Sequence, residues 1–118
     1  MIALTIKMNV STANRQKVVE TVRSLTEPTK VQEGCLSFDL SEDLFEEGNL
    51  VLNQKWRDKL TLTRHMRSGR FRSLLIALDL LGSPPRITLS YVSHELELES
   101  IEELMTFFGT YGASERRN

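Results

Sequence analysis

The sequence lacks nearly everything that would mark a stapled, membrane-bound or strongly charged protein. It has one cysteine, Cys35, so no disulfide can form within the chain, and a reducing compartment, the cytoplasm, is expected. Three prolines and six glycines in 118 residues leave no Pro- or Gly-rich linker and no low-complexity segment. No charge bias exists either: 15 basic residues stand against 16 acidic ones. That balance argues against a general nucleic-acid binder or a polybasic membrane anchor. The longest apolar run, Leu74 to Leu81, is broken by Asp79 and falls far short of the roughly 20 residues a spanning helix needs. The opening MIALTIKMNV alternates around Lys7, so it reads as a strand and not as the apolar core of a signal peptide. No H-x-x-x-H or C-x-x-C spacing occurs, so no metal site is predicted.

What is present is a regular alternation of short elements in a single domain. Ile2, Leu4, Ile6, Met8 and Val10 share one face of a first strand. Ser11 or Thr12 caps a helix to about Leu25, with Val18, Val19, Val22 and Leu25 as its apolar stripe. Pro28 is expected to end it, with a short turn of helix capped by Thr26 and closed by Gly34. Cys35 to Leu40 is a second strand with Leu36, Phe38 and Leu40 on one face. After the polar loop SEDLFEEGN, Gly48-Asn49 suits a hairpin turn into a third strand.

Residues 50–72, LVLNQKWRDKLTLTRHMRSGRFR, carry the chemistry. Leu50, Leu52, Gln54 and Trp56 share the inward face of the third strand. An amide among apolar neighbours costs roughly 1–3 kcal/mol unless it finds partners, so Gln54 calls for something polar opposite. Asp58 caps a helix through Arg67, on which Leu62, His65 and Met66 lean inward. Ser68-Gly69 breaks it, and Phe71, Leu74, Leu75 and Leu78 give the inner face of the next helix. Two polar groups and one indole therefore face a common interior from adjacent elements.

Gly82-Ser83-Pro84-Pro85 is a stop. Ile87, Leu89 and Tyr91 share a face of a fourth strand, after which Val92, His94, Leu96 and Leu98 take over the alternation. Such a switch means a bulge, or an end that leaves its own sheet. The second reading is preferred, with the far end pairing a partner chain. Ser100 and Glu103 form a capping box. Ile101, Leu104, Met105 and Phe108 form one apolar face up to Gly109, and GTYGASERRN follows as a tail. The order β-α-β, β-α-β, helix predicts a ferredoxin-like α+β fold: two split βαβ units in a four-stranded antiparallel sheet with helices on one face. A second copy is the economical cover for the other face. Residues 1–98 form the domain, and 99–118 are an extension.

GCLSFDL at 34–40, QKW at 54–56 and RHMRSGRF at 64–71 resemble the antibiotic biosynthesis monooxygenase family. Its members usually show a Gly-Cys-x-x-Tyr/Phe strand, a Glu-x-Trp strand and a His-x-x-Ser-x-x-Phe helix. These fall on Gly34, Cys35 and Phe38; on Gln54 and Trp56; and on His65, Ser68 and Phe71. The resemblance spans about residues 1–96. It implies a dimeric α+β barrel and, for some members, oxidation of quinols or aromatic polyketides by dioxygen without metal or flavin. Gln54 departs from the usual Glu. The heme-degrading branch resembles a different pattern, which Leu74-Leu75-Ile76 does not match.

The expected function is a cofactor-independent monooxygenase acting on a small aromatic or quinol. His65 is the candidate base, since imidazole titrates near neutrality. Trp56, Gln54, Phe38, Met66 and Phe71 are the candidate lining of the substrate site, with Trp56 and Phe38 stacking on a flat ring. The alternative is a non-catalytic small-ligand-binding or structural dimer. In that case His65 donates to a backbone carbonyl or to Gln54, and the aromatics are plain core. The basic set Arg57, Lys59, Arg64, Arg67, Arg70 and Arg72 and the acidic set Glu95, Glu97, Glu99, Glu102 and Glu103 are read as solvated faces; the alternatives are that they pair across a dimer or that the basic set draws in an anionic ligand. Cys35 reads as a packed thiol.

Overall fold

In a computed structural model, residues 1–116 are described, with side-chain environments through residue 109. The element order is β1 (Ile2–Asn9), α1 (Thr12–Lys30), β2 (Cys35–Glu42), β3 (Asn49–Trp56), α2 (Lys59–Met66), α3 (Gly69–Leu78), β4 (Arg86–Tyr91) and α4 (Ile101–Arg116). The four strands form one sheet in the order β2-β3-β1-β4, with every neighbouring pair antiparallel. This is the ferredoxin-like α+β arrangement that the element order predicts. No helix among the described residues is long and apolar enough to cross a membrane.

Period-2 alternation builds the buried face. Ile2, Leu4, Ile6, Met8 and Val10, at 7% exposure or less, meet Leu50, Leu52, Gln54 and Trp56, at 2% or less. Direct register pairs such as Leu4 with Gln54 and Ile6 with Leu52 place them on one side. Val18, Val22 and Leu25 of α1 and Leu74 of α3 close the core from above. Each such side chain contributes roughly 1.5–3 kcal/mol when fully buried.

Several expectations need correcting. Pro28 does not end α1, which runs on to Lys30; Pro28 removes one donor near the C-terminal end, and a last turn survives that loss. Leu36 is 56% exposed, because a register irregularity between Cys35 and Ser37 puts an extra residue into β2. Leu75 is 47% exposed, and Ala77 takes the buried place beside Leu74. Gly109 does not end the last helix, which continues to Arg116. Residues 117–118 of the expected tail lie outside the described residues.

The sheet face opposite the helices carries the alternate residues of β1 and β3. It is polar: Thr5 Oγ1 meets Asn53 Oδ1 at 3.0 Å, Asn9 Nδ2 donates to Asn49 Oδ1 at 2.7 Å, and Lys55 pairs with Glu95 at 2.6 Å. The open apolar surface lies elsewhere. Ile87, Leu89 and Tyr91 sit opposite Ile6, Leu4 and Ile2 on the helix-bearing face, yet are 48–72% exposed. The fourth strand ends at Tyr91, Val92 still exchanges hydrogen bonds with Met1, and residues 93–100 continue without regular structure. Ser100 and Glu103 do form the capping box that starts α4: Glu103 N donates to Ser100 Oγ, and Glu99 N to Glu103 Oε2. Residues 101–109 are exposed throughout, so this part of α4 does not cover the sheet of its own chain.

Candidate functional site

The site is assembled where the α1–β2 turn, the end of β3 and α2 meet. The turn needs Gly34, whose φ is +86°, in the left-handed region that residues with a Cβ avoid. A Cβ at Gly34 would lie 2.3 Å from the Thr61 side chain of α2. Only hydrogen fits there, so α2 can press directly on the turn. Arg57 N donates to Gly34 O at 2.7 Å and fixes the turn to the end of β3. Asp58 caps α2, its side chain accepting from Thr61 N at 2.9 Å. Thr61 and His65, four apart, then face inward together, with Leu62 beside them.

His65 is 2% exposed. Its ring stacks on Trp56, with centroids 4.6 Å apart and planes 27° apart, and meets Phe71 edge-on at 5.6 Å. Nδ1 lies 3.0 Å from Gln32 Oε1. An amide oxygen only accepts, so Nδ1 carries the proton and Nε2 presents a lone pair. Nε2 has no hydrogen-bond partner among the described residues. Burial, reinforced by the Arg70 cation, pushes the imidazole down from 6.5 to about 4. At neutral pH it is therefore uncharged, which corrects the expectation that it titrates near neutrality.

Gln54, 1% exposed, accepts the Trp56 indole N–H at 3.0 Å. The indole nitrogen can only donate, so this contact fixes the amide: Oε1 toward the indole, Nε2 away. Gln54 Nε2 also lacks a partner. A bare donor and a bare acceptor thus flank one indole, both buried, where an unpaired polar group costs roughly 1–3 kcal/mol. Thr29 Oγ1, in the last turn of α1, is a third such atom.

The sequence-derived set is divided by the structure. Trp56, Gln54, His65 and Phe71 come together. Phe38, 1% exposed, pairs with Gln54 across β2–β3 and floors a cleft of about 360 Å³ between α1 and β2, with Val22 and Leu40 beside it and Arg23 and Lys30 among its lining. Met66 is 48% exposed: one residue past His65, it has rotated about 100° out of the buried face. The imidazole lies directly on the indole, so no flat molecule fits between those two rings. Gln32 was not expected. It lies 33 residues before His65 in a polar turn, and no periodicity singles it out.

The other candidates are quiet. The Cys35 thiol is raised by burial, the opposite of an activated nucleophile. Arg57 pairs with Glu33 and Asp58 on the surface. His94 is exposed and contacts Ser93 Oγ at 3.2 Å.

Comparison with known proteins fits this geometry. The sequence profile described as "Antibiotic biosynthesis monooxygenase" matches residues 1–74. The Bacillus subtilis (strain 168) protein named "Putative monooxygenase YcnE" is 27% identical over 85 residues, covering 71% of this chain and 90% of that protein. A Deinococcus radiodurans structure described as a "putative antibiotic biosynthesis monooxygenase" superposes with a TM-score of 0.76 at 18% identity, covering 85% of this chain and all of that one. Rv0793 from Mycobacterium tuberculosis superposes with a TM-score of 0.74 at 24% identity, covering 81% and 98%. At such identities these two structures speak for the fold.

Proposed function

The chain belongs to the antibiotic biosynthesis monooxygenase family, and from that premise we propose that it oxidises a small, acidic, carbonyl-bearing phenol or quinol with dioxygen, His65 accepting the proton. The supporting observation is the buried His65 Nε2, unprotonated at neutral pH and without a partner among the described residues.

The reaction balances without an added reductant. A ring C–H becomes a quinone C=O with one oxygen atom, the phenolic O–H becomes the second C=O, and the other oxygen atom leaves as water with both hydrogens. The substrate supplies all four electrons.

The imidazole bounds the substrate. An ordinary phenol titrates near 10, and a base held at about 4 faces roughly six units, or about 8 kcal/mol, in taking its proton. A phenol conjugated to a carbonyl is more acidic and narrows that gap. Its carbonyl oxygen would also accept from Gln54 Nε2, the bare donor on the same indole. Phe71, edge-on to the imidazole, would supply an apolar wall; the cleft floored by Phe38 is lined by none of His65, Gln54, Trp56 and Phe71.

Two copies of the chain are the assembly this reading favours. The open strip of Ile87, Leu89 and Tyr91 and the exposed Ile101, Met105 and Phe108 of α4 are apolar surfaces that a second copy would cover. The acidic Glu97, Glu99, Glu102 and Glu103 around α4 complement the exposed Arg67, Arg70 and Arg72.

The test is oxygen uptake with hydroxy-anthrones, acyl-hydroquinones and simple phenols, for the natural chain and His65→Ala. Uptake with the carbonyl-bearing compounds, lost in the variant, supports the proposal. Tight binding of the same compounds with no uptake would favour the binding-module reading, which the direct imidazole–indole stacking and the missing carboxylate at Gln54 support.

A further inference from the structure

We infer that Gln32 is a positioning residue of this site: by accepting from His65 Nδ1 it holds the imidazole in the tautomer whose Nε2 lone pair is available. The inference deepens the proposed function and rests on it for its kinetic consequence, though not for its structural one.

The Gln32–His65 contact, at 3.0 Å, is the only hydrogen bond to the ring among the described residues. No other described group selects a tautomer, because Trp56 and Phe71 touch the ring through its face and edge. Without Gln32 the proton would be free to move to Nε2, and the site would then present a donor instead of an acceptor. Two donors, His65 Nε2–H and Gln54 Nε2, would flank the indole, and a phenolic O–H would find no acceptor on the ring.

The backbone holds Gln32 in place from both sides. Its N–H donates to Thr29 O, and its carbonyl accepts from Cys35 N, both at 3.0 Å. Gly34 then seats this turn against Thr61, one helical turn before His65. The turn and α2 are thus locked in register, and the amide reaches the ring at a fixed height. This is an outer partner of the reacting group, of the kind that fixes ring orientation elsewhere.

Long-range proton–nitrogen NMR on chain labelled with ¹⁵N-histidine tests it at pH 7. The natural chain should show His65 protonated at Nδ1 and bare at Nε2. Gln32→Ala should move the proton wholly or partly to Nε2, with circular dichroism and melting temperature confirming the fold. Gln32→Glu, whose carboxylate still accepts, should restore the Nδ1–H signature and raise the His65 titration. With a turned-over substrate, Gln32→Ala should lower kcat by roughly 10- to 100-fold, the range for such outer partners, with KM little changed and activity regained in Gln32→Glu. A natural chain carrying its proton on Nε2, or a tautomer unmoved by Gln32→Ala, would overturn the inference. The expected tautomers with no oxygen uptake in any variant would leave the positioning role standing and remove the monooxygenase reading.

Discussion

Trp56 donates its indole N–H to Gln54 Oε1 at 3.0 Å, two positions back on the same face of β3. The bond satisfies an indole that is completely buried and sets which end of the amide remains free. Replacing Trp56 by Phe removes the indole N–H and leaves the buried Gln54 Oε1 without its donor, at a cost of roughly 1–3 kcal/mol on top of the lost packing. Urea denaturation should show that loss with an unchanged m-value. An equally stable Trp56→Phe would mean the bond has no structural weight.

His65 gives the protein a pH signature. Its folded value, about 4, lies below its unfolded value of 6.5. Between those values the unfolded chain binds the proton and the folded chain does not, so stability falls as pH drops through that window. Above 6.5 both states are neutral and the group contributes no pH dependence. The full loss is roughly 3 kcal/mol. Melts from pH 7 to 4 should show the natural chain losing more stability than His65→Phe, in which the aromatic stack is kept and the titration removed. Parallel curves for the two would refute the assignment.

Gly34 is expected to tolerate no side chain. The left-handed backbone alone costs an alanine on the order of 1–3 kcal/mol, and its Cβ would overlap Thr61 at 2.3 Å. Gly34→Ala should therefore lower the melting temperature and, by pushing α2 away, loosen His65 from Gln32. Thr61→Gly removes the overlap but not the backbone strain, so Gly34→Ala should cost less in a Thr61→Gly background than in the natural chain.

Deleting residues 99–118 tests whether they lie outside the folded domain. Residues 101–109 are exposed throughout, so the deletion should leave the stability of an isolated copy within about 0.5 kcal/mol, the range for surface changes. Sedimentation of the shortened chain should show weaker self-association. Unchanged association would exclude α4 from the contact between copies.

Much of the fold was legible because its signals are local. Alternation through Ile2 to Val10 and Leu50 to Trp56 marks the two central strands, and the caps at Asp58 and Ser100 and the break at Ser68-Gly69 mark three helix starts. The errors fell where tertiary contacts outweigh local preference. Pro28 is a helix breaker only if the turn around it has nothing else to hold it, and here α1 packs on the sheet through Val22, Leu25 and Thr29. Met66 and Leu75 read as inner-face residues on spacing alone, and only the seating of α2 and α3 turned them outward.

The sequence by itself determined the faces of the two central strands, the helix starts and the fact that Gln54, Trp56 and His65 point into one interior, because side-chain direction follows from backbone period. Only the tertiary structure decided what those groups do to one another: the imidazole lies on the indole, the amide is claimed by the indole N–H, and the ring is held by Gln32 from a turn 33 residues away. Hydrogen bonds and desolvation depend on distance in space, and a residue pattern carries no distance between elements that meet only after folding.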